Sequence, residues 1–374
     1  MSVPAAEPAR AGALRVLVLC FLVNMLDGFD IQAIAYVAPV VRAQWTLDAG
    51  TLGLLFSAGL VGMAAGSVLL GPLSDHIGRR RTIIGCVALF GTATVLTALA
   101  RTPLEMALAR VITGIGIGGV LPSLNTLVAE FAPERHRNTQ VAVMHLGYPL
   151  GATAGGFLAA VLIPHWGWSG VFYAGGLATL ALLPVLVAAL PESERRPAPA
   201  RAGAHRAGAD GQPGIAAALV SAVAARHTLA LWGAFFMGYL ALYFLITWTP
   251  TLLVDAGLAL NQGIYAAIAL NAGGAVGMLV LGEWSARRGQ RRLIAAFFVA
   301  SALGMALMGQ LTGTLGLLIA VTTVVGFLGL GGLIGLYAVA ARLYPASVRA
   351  TGVGLAIGAG RVGGILGPGL GGLL

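Results

Sequence analysis

Four charged residues lie deep inside apolar stretches of this sequence: Asp27, Asp30, Arg110 and Arg361. A charge at the centre of a bilayer costs about 2.5–3.5 kcal/mol on insertion scales, so each should face a protein interior and meet a partner there. Asp27 and Asp30 are three residues apart and share a helix face, with Asn24 one turn earlier. Two carboxylates that close repel each other, which favours one of them keeping a proton and makes the pair a candidate for loading and releasing protons. The alternative is that either aspartate simply pairs with a neighbouring helix. Arginine stays charged and presents a planar fork to a carboxylate, so Arg110 and Arg361 are candidates for receiving an anion. Either could instead be permanently paired to an aspartate or to backbone carbonyls.

Rings would bind a ring. Phe236, Tyr239 and Tyr243 follow i, i+3, i+7 spacing and form one stripe, and Phe29, Tyr148 and Tyr337 are further candidates for a cavity wall. Such stripes also serve packing alone. His145 is a candidate hydrogen-bond or proton-relay group, with a structural role as the alternative. Cys20 and Cys86 fall inside apolar stretches, where a free thiol behaves as a small hydrophobe, and they define neither a disulfide framework nor a metal site.

The elements that carry these residues belong in a membrane. Of 374 residues 58% are hydrophobic and only 9% charged, against about 25% charged in soluble domains. About twenty apolar residues cross a bilayer core. The apolar runs fall at about 16–37, 52–73, 82–99, 104–129, 139–163 and 170–190, then at 228–253, 264–282, 293–311, 315–340 and 351–374. That predicts eleven helices in blocks of six and five. Arg10 and Arg15 ahead of the first run imitate a signal peptide, but the run carries Asp27 and Asp30 and lacks a small-residue cleavage site, so it reads as a retained helix.

Every basic residue among the 22 is arginine, and the net charge is +9. The arginines sit in short clusters between apolar runs rather than on one basic face, which argues against nucleic-acid binding. With the N-terminus in the cytoplasm, arginines 10, 15, 79, 80, 81, 135, 137, 195, 196, 201, 206, 226, 287, 288, 291, 292, 342 and 349 lie inside, Arg42 and Arg101 outside. That bias is the positive-inside pattern. The chain divides into a cytoplasmic N-terminus (1–15), a six-helix half (16–190), a Pro-, Ala-, Gly- and Arg-rich flexible linker (191–226) and a second half (227–374).

The halves repeat. Gly71-Pro-Leu-Ser-Asp75-His-Ile-Gly78-Arg79-Arg80-Arg81 matches Gly282-Glu-Trp-Ser-Ala286-Arg-Arg-Gly289-Gln290-Arg291-Arg292, and Glu130 to Thr139 matches Arg342 to Thr351 in nearly the same register. Parallel repeats of this kind surround midplane sites in transporters. The same register maps Leu374 onto the end of the fifth helix, so the counterpart of helix 6, a twelfth helix, is expected to be absent from this chain. Glycines at three- and four-residue spacing (59, 62 and 66; 147, 151 and 155; 363, 367 and 371) suit close helix crossings. Gly114-Ile-Gly116-Ile-Gly118-Gly119 fits a dinucleotide fingerprint, but it follows no strand and lies in an apolar helix, and no P-loop is present.

At these residues the chain resembles the major facilitator superfamily. Gly71-x-x-x-Asp75-x-x-Gly78-Arg79-Arg80 is similar to its signature between helices 2 and 3, and Arg110-x-x-x-Gly114-x-Gly116-x-Gly118 to its helix-4 signature. His76 departs from the usual Arg or Lys, and Ala286 stands in the second copy's aspartate position. Leu26-Asp27-Gly28-Phe29-Asp30, Tyr344-Pro345 to Gly352, and Gly360-Arg361-Val-Gly363-Gly364 resemble the aromatic acid:proton symporter family.

The resemblance implies an all-α major facilitator fold in a bacterial inner membrane, working by alternating access as a monomer without a cofactor. It implies uptake of an aromatic carboxylate with protons, Arg110 sharing in the coupling. The loop containing Gly71, Asp75, Gly78, Arg79 and Arg80 would act as a cytoplasmic gating latch, Asp75 pairing with Arg79 or a helix N-terminus, and Glu130, Arg137 and Arg349 would form a related charge cluster. The same pattern also admits a non-aromatic organic acid, an efflux facilitator, or a non-transporting receptor or inactive truncated fragment. It is not the pattern of an enzyme.

Overall fold

A computed structural model describes residues 7–192, 222–287, 290–308, 310–311, 314–344 and 349–373. The chain runs through α1 (Glu7–Trp45), α2 (Ala49–Ile77), α3 (Arg79–Ala98), α4 (Pro103–Phe131), a 3-10 turn (Glu134–His136), α5 (Arg137–His145) and α6 (Gly147–Ala189). After the linker come α7 (Ala222–Asp255), α8 (Leu260–Arg287), α9 (Gln290–Met308), α10 (Leu315–Leu343) and α11 (Arg349–Gly371). Most of the expected linker lies outside the described residues, and α7 begins within its last five positions.

Local chemistry sets the helix ends. Asp48 caps α2 by accepting a hydrogen bond from the Thr51 amide at 2.8 Å, and hydrogen bonds from Thr51 hold this exposed carboxyl below its usual range. Thr102 caps α4 in the same way, with Pro103 in the first turn where its missing N–H costs nothing. Gly78 joins α2 to α3 at φ 93°, a left-handed turn that favours glycine. At Gly167, φ 68°, α6 turns. Its first arm lies on α1, where Gly155 meets the Phe29 ring, and its second on α3, where Gly176 meets Val95. The expected runs at 139–163 and 170–190 are therefore α5 with the first arm of α6, and the second arm.

Among the described residues nine helices are long and apolar enough to cross a membrane, α5 with both arms of α6 counting as one, and residues 292–308 form a shorter apolar helix. Leucines and valines such as Leu54, Val68, Leu104 and Leu303 are exposed on the outside of the bundle. In lipid that is where apolar side chains belong.

The repeat in the sequence is a repeat in packing. The first arm of α6 crosses α1 as α11 crosses α7, and α4 crosses α2 as α10 crosses α8. Each crossing is backbone on backbone: a Cβ on Gly151 would collide with the Met25 carbonyl, on Gly62 with that of Val111, on Gly273 with that of Thr323, and on Gly363 with that of Phe236.

Between the halves, α1 meets α7, α2 meets α11 and α6 meets α8. These seams are tight at the end marked by Trp45. Arg42 pairs with Asp255, Gln32 donates to the Ile246 carbonyl at 3.1 Å, and Ser57 donates to that of Ile365 at 2.8 Å. Phe56 meets Trp248 edge-on at 5.4 Å. A Cβ on Gly53 would strike the Pro368 carbonyl, and one on Gly372 that of Ala49.

Candidate functional site

Halfway along α1 the two aspartates have different surroundings. Asp30 is sealed from solvent and bound on three sides: Arg110 of α4 donates to its carboxylate at 2.8 Å and to its carbonyl at 3.1 Å, and the Thr94 hydroxyl of α3 donates at 2.6 Å. The Arg110 guanidinium lies 5.7 Å above the centre of the Phe172 ring, a cation–π contact. Asp27 is equally buried, yet among the described residues neither of its carboxylate oxygens has a hydrogen-bond partner. Asp27 lies within electrostatic range of Asp30 and of the hydroxyls of Tyr148 and Tyr243.

A small cavity opens beside this cluster. Its wall is Ile31, Ile34, Phe56, Leu60, Met63 and Ile117, with Arg110 from the first half and Tyr243 and Thr247 from the second. Arg110 is the one charged group on that lining.

The second half supplies a file of rings. Phe235, Tyr239 and Tyr243 stack along α7 with centroids 6.4 and 5.9 Å apart, and Tyr337 of α10 joins them edge-on to Phe235 and through a hydroxyl–hydroxyl hydrogen bond to Tyr239. Space for these rings comes from α11, where Gly360 and Gly364 lie directly against Tyr239 and Tyr243. Arg361 stands between those glycines, close enough for its charge to act on the hydroxyls of Tyr239, Tyr243 and Tyr337. Among the described residues Arg361 has no carboxylate partner; its hydrogen bond goes across to Ser67 of α2.

The structure thus brings Asp27, Asp30, Arg110, Tyr148, Tyr239, Tyr243, Tyr337 and Arg361 toward one central region. Four candidates lie elsewhere. Asn24 donates to the Met144 carbonyl at 2.9 Å, where α5 ends, and so mends a helix break. The Phe29 ring is buried between Gly155 and Gly175, one on each arm of α6. Phe236 turns its carbonyl to Gly363 at the α7–α11 crossing, and Phe235 takes the place in the ring file. His145 exchanges a hydrogen bond with Asn125 of α4 at 2.8 Å.

At the Gly78 end, Arg79 pairs with Glu130, and Arg80 reaches both Glu192 and the Val187 carbonyl. Arg15 donates to the Ala189 carbonyl. Arginines on the last carbonyls of a helix complement its dipole, and each of these ties stays within the first half. Arg137 is exposed, and Gly71 faces open space. The side chains of Asp75 and Arg349 lie outside the described residues. Sequence reading passed over Thr94, Phe172, Ser67 and Phe235. Thr94 and Ser67 carry a signal, a hydroxyl within an apolar helix, and the two phenylalanines carry none.

Comparison with known proteins speaks to the family and the fold. The chain is 38% identical to a gallate transporter of Pseudomonas putida, over 98% of this chain and 86% of that one. It is 33% identical to the 4-hydroxybenzoate transporter PcaK of Pseudomonas aeruginosa, over 99% and 88%. Among solved structures, a bacterial homologue of the human lysosomal transporter Spinster, inward-facing and occupied, superposes with a TM-score of 0.79 at 20% identity, over 99% of this chain and 82% of that one. Residues 20–368 match the Major Facilitator Superfamily, and the chain belongs to that family of multi-pass membrane proteins.

Proposed function

We propose that this protein is a proton-coupled symporter that takes up an aromatic carboxylate across the bacterial inner membrane by alternating access, acting as a monomer with its N-terminus in the cytoplasm. The observation that carries the reading is the division of labour between two buried carboxylates. Asp30 is committed to Arg110 and Thr94, whereas among the described residues Asp27 has no donor. A charged carboxylate sealed from water without a partner costs several kcal/mol, so Asp27 carries the proton while the site is closed and yields it when water enters. The ring file along α7 and the guanidinium of Arg361, which has no carboxylate partner among the described residues, suit a flat anion such as gallate or 4-hydroxybenzoate, for which the relatives at 33–38% identity are named.

Sidedness follows from the arginines. Placing the Gly78 end in the cytoplasm puts the tight Trp45 end outside, so the reading is of a carrier closed to the exterior. An anion entering a cell with a negative interior works against about 2.3 kcal/mol per charge per 100 mV, and more than one proton per monoanion makes that term favourable. Membrane vesicles given an inward proton gradient are expected to concentrate 4-hydroxybenzoate or gallate. Accumulation that survives collapse of the gradient would overturn proton coupling, and no saturable uptake of either acid would overturn the substrate class.

A further inference from the structure

Ser67 lies on α2, ten residues beyond Ser57 toward the Gly78 end, and no charged or aromatic motif surrounds it. Its hydroxyl donates to the Ala64 carbonyl at 2.9 Å and accepts from the Arg361 guanidinium of α11. The α2–α11 seam explains the second contact. The two helices run antiparallel and touch at Gly53 with Pro368 and at Ser57 with Ile365. Continuing that pairing sets position 61 level with Arg361. Ser67 is therefore about 9 Å further along α2 at 1.5 Å per residue, and the Arg361 side chain extends toward the Gly78 end to reach it.

The donation to Ala64 matters. A serine hydroxyl in a helix that bonds its own preceding turn has a fixed direction, and one of its two lone pairs accepts from across the seam. A guanidinium gripped there loses much of the rotamer freedom of a long side chain, which is otherwise lost on ligand binding. It is held beside Tyr239, Tyr243 and Tyr337 with no carboxylate of its own.

We infer that Ser67 is a positioning residue for the substrate's carboxylate: it holds Arg361 from the opposite half of the molecule, so that the anion site is assembled by both halves together. The inference rests on the proposal that Arg361 receives an aromatic carboxylate. Because the tie crosses the seam, the splay of α2 from α11 sets where the guanidinium stands, and affinity for the anion follows the conformation of the transporter.

The test measures equilibrium binding of 4-hydroxybenzoate, and of the uncharged 4-hydroxybenzamide, to the purified full chain. Ser67→Ala is expected to weaken binding of the carboxylate about tenfold, the size of a lost charge-assisted hydrogen bond, and to leave binding of the amide unchanged. Ser67→Thr, which keeps the hydroxyl, should restore carboxylate affinity to within about twofold, whereas Ser67→Val, of the same shape without it, should behave as Ser67→Ala. In an Arg361→Lys background Ser67→Ala should cost no more than about twofold, because the fork it positions is gone. Wild-type carboxylate affinity in both Ser67→Ala and Ser67→Val, or an equal loss for acid and amide, overturns the inference and leaves the transport reading standing. Failure of the wild-type chain to bind either acid or amide overturns both.

Discussion

Asp27 and Asp30 share a helix face, yet replacing each by asparagine should do different things. Asp30→Asn strips the buried Arg110 of its counter-charge, and breaking a buried pair from one side costs about 3–5 kcal/mol. It should lower the thermal unfolding temperature of the purified protein, with loss of transport following from loss of fold. Asp27→Asn removes a carboxylate that bonds nothing, so unfolding should shift little. Gradient-driven accumulation should vanish while exchange of labelled for unlabelled substrate persists. Wild-type accumulation in Asp27→Asn would remove the proton from that site. Residue type and spacing located both carboxylates and both arginines. They did not reveal which carboxylate is spent on structure, because that depends on what α3 and α4 present at the same depth, Thr94 and Arg110. Asn24 and Phe29 misled for a related reason. Each looked like a cavity group on α1, and each instead serves the tight approach of α5 and α6.

Helices here are joined by what their glycines lack. The crossing of α1 with α6 leaves no volume at Gly151, so Gly151→Val should destabilise the protein by at least the 1–3 kcal/mol typical of overpacking, read as a fall in unfolding temperature. Gly85 of α3 has nothing within 4 Å of the position a Cβ would take. Gly85→Ala should raise stability by about 0.5–1 kcal/mol through helix propensity alone. Equal effects from the two substitutions would mean that glycine placement reflects flexibility rather than fit. These crossings were legible because three- and four-residue glycine spacing within an apolar run has few other uses. The turn at Gly167 was legible as a gap between two runs. The choice of Phe235 over Phe236 for the ring file was not, since one position on a helix is 100° of rotation, and only the angle at which α7 meets α10 and α11 decides which residue faces inward.

At the scale of the whole molecule, two halves meet at a seam that adds polar ties and ring contacts to the glycine crossings used inside each half. The arginine distribution carries the proposed sidedness, and the internal repeat made the paired helix crossings readable. The state in which the halves stand was not, because the contacts that close one end come from residues without a motif, among them Gln32, Ser57 and Asp255. The Arg42–Asp255 pair is partly exposed, so it contributes about 1 kcal/mol at most. Asp255→Arg should accordingly raise the population open at that end no more than a few-fold. A cysteine at position 57, beneath the closure, should then react correspondingly faster with a membrane-impermeant thiol reagent added from outside, and an unchanged rate would show that the pair has no part in closure. Gly53 and Gly372 have a larger consequence. An ion pair at a protein surface stays wet, but backbone laid on backbone leaves no room for a file of water, and water is what conducts a stray proton. Under the proposed proton coupling, the glycines more than the charges would keep such a file out. A bulky side chain at position 53 should then let protons pass without substrate, seen as acidification of vesicles with no substrate present, and an unchanged vesicle pH would show that this crossing is not the seal.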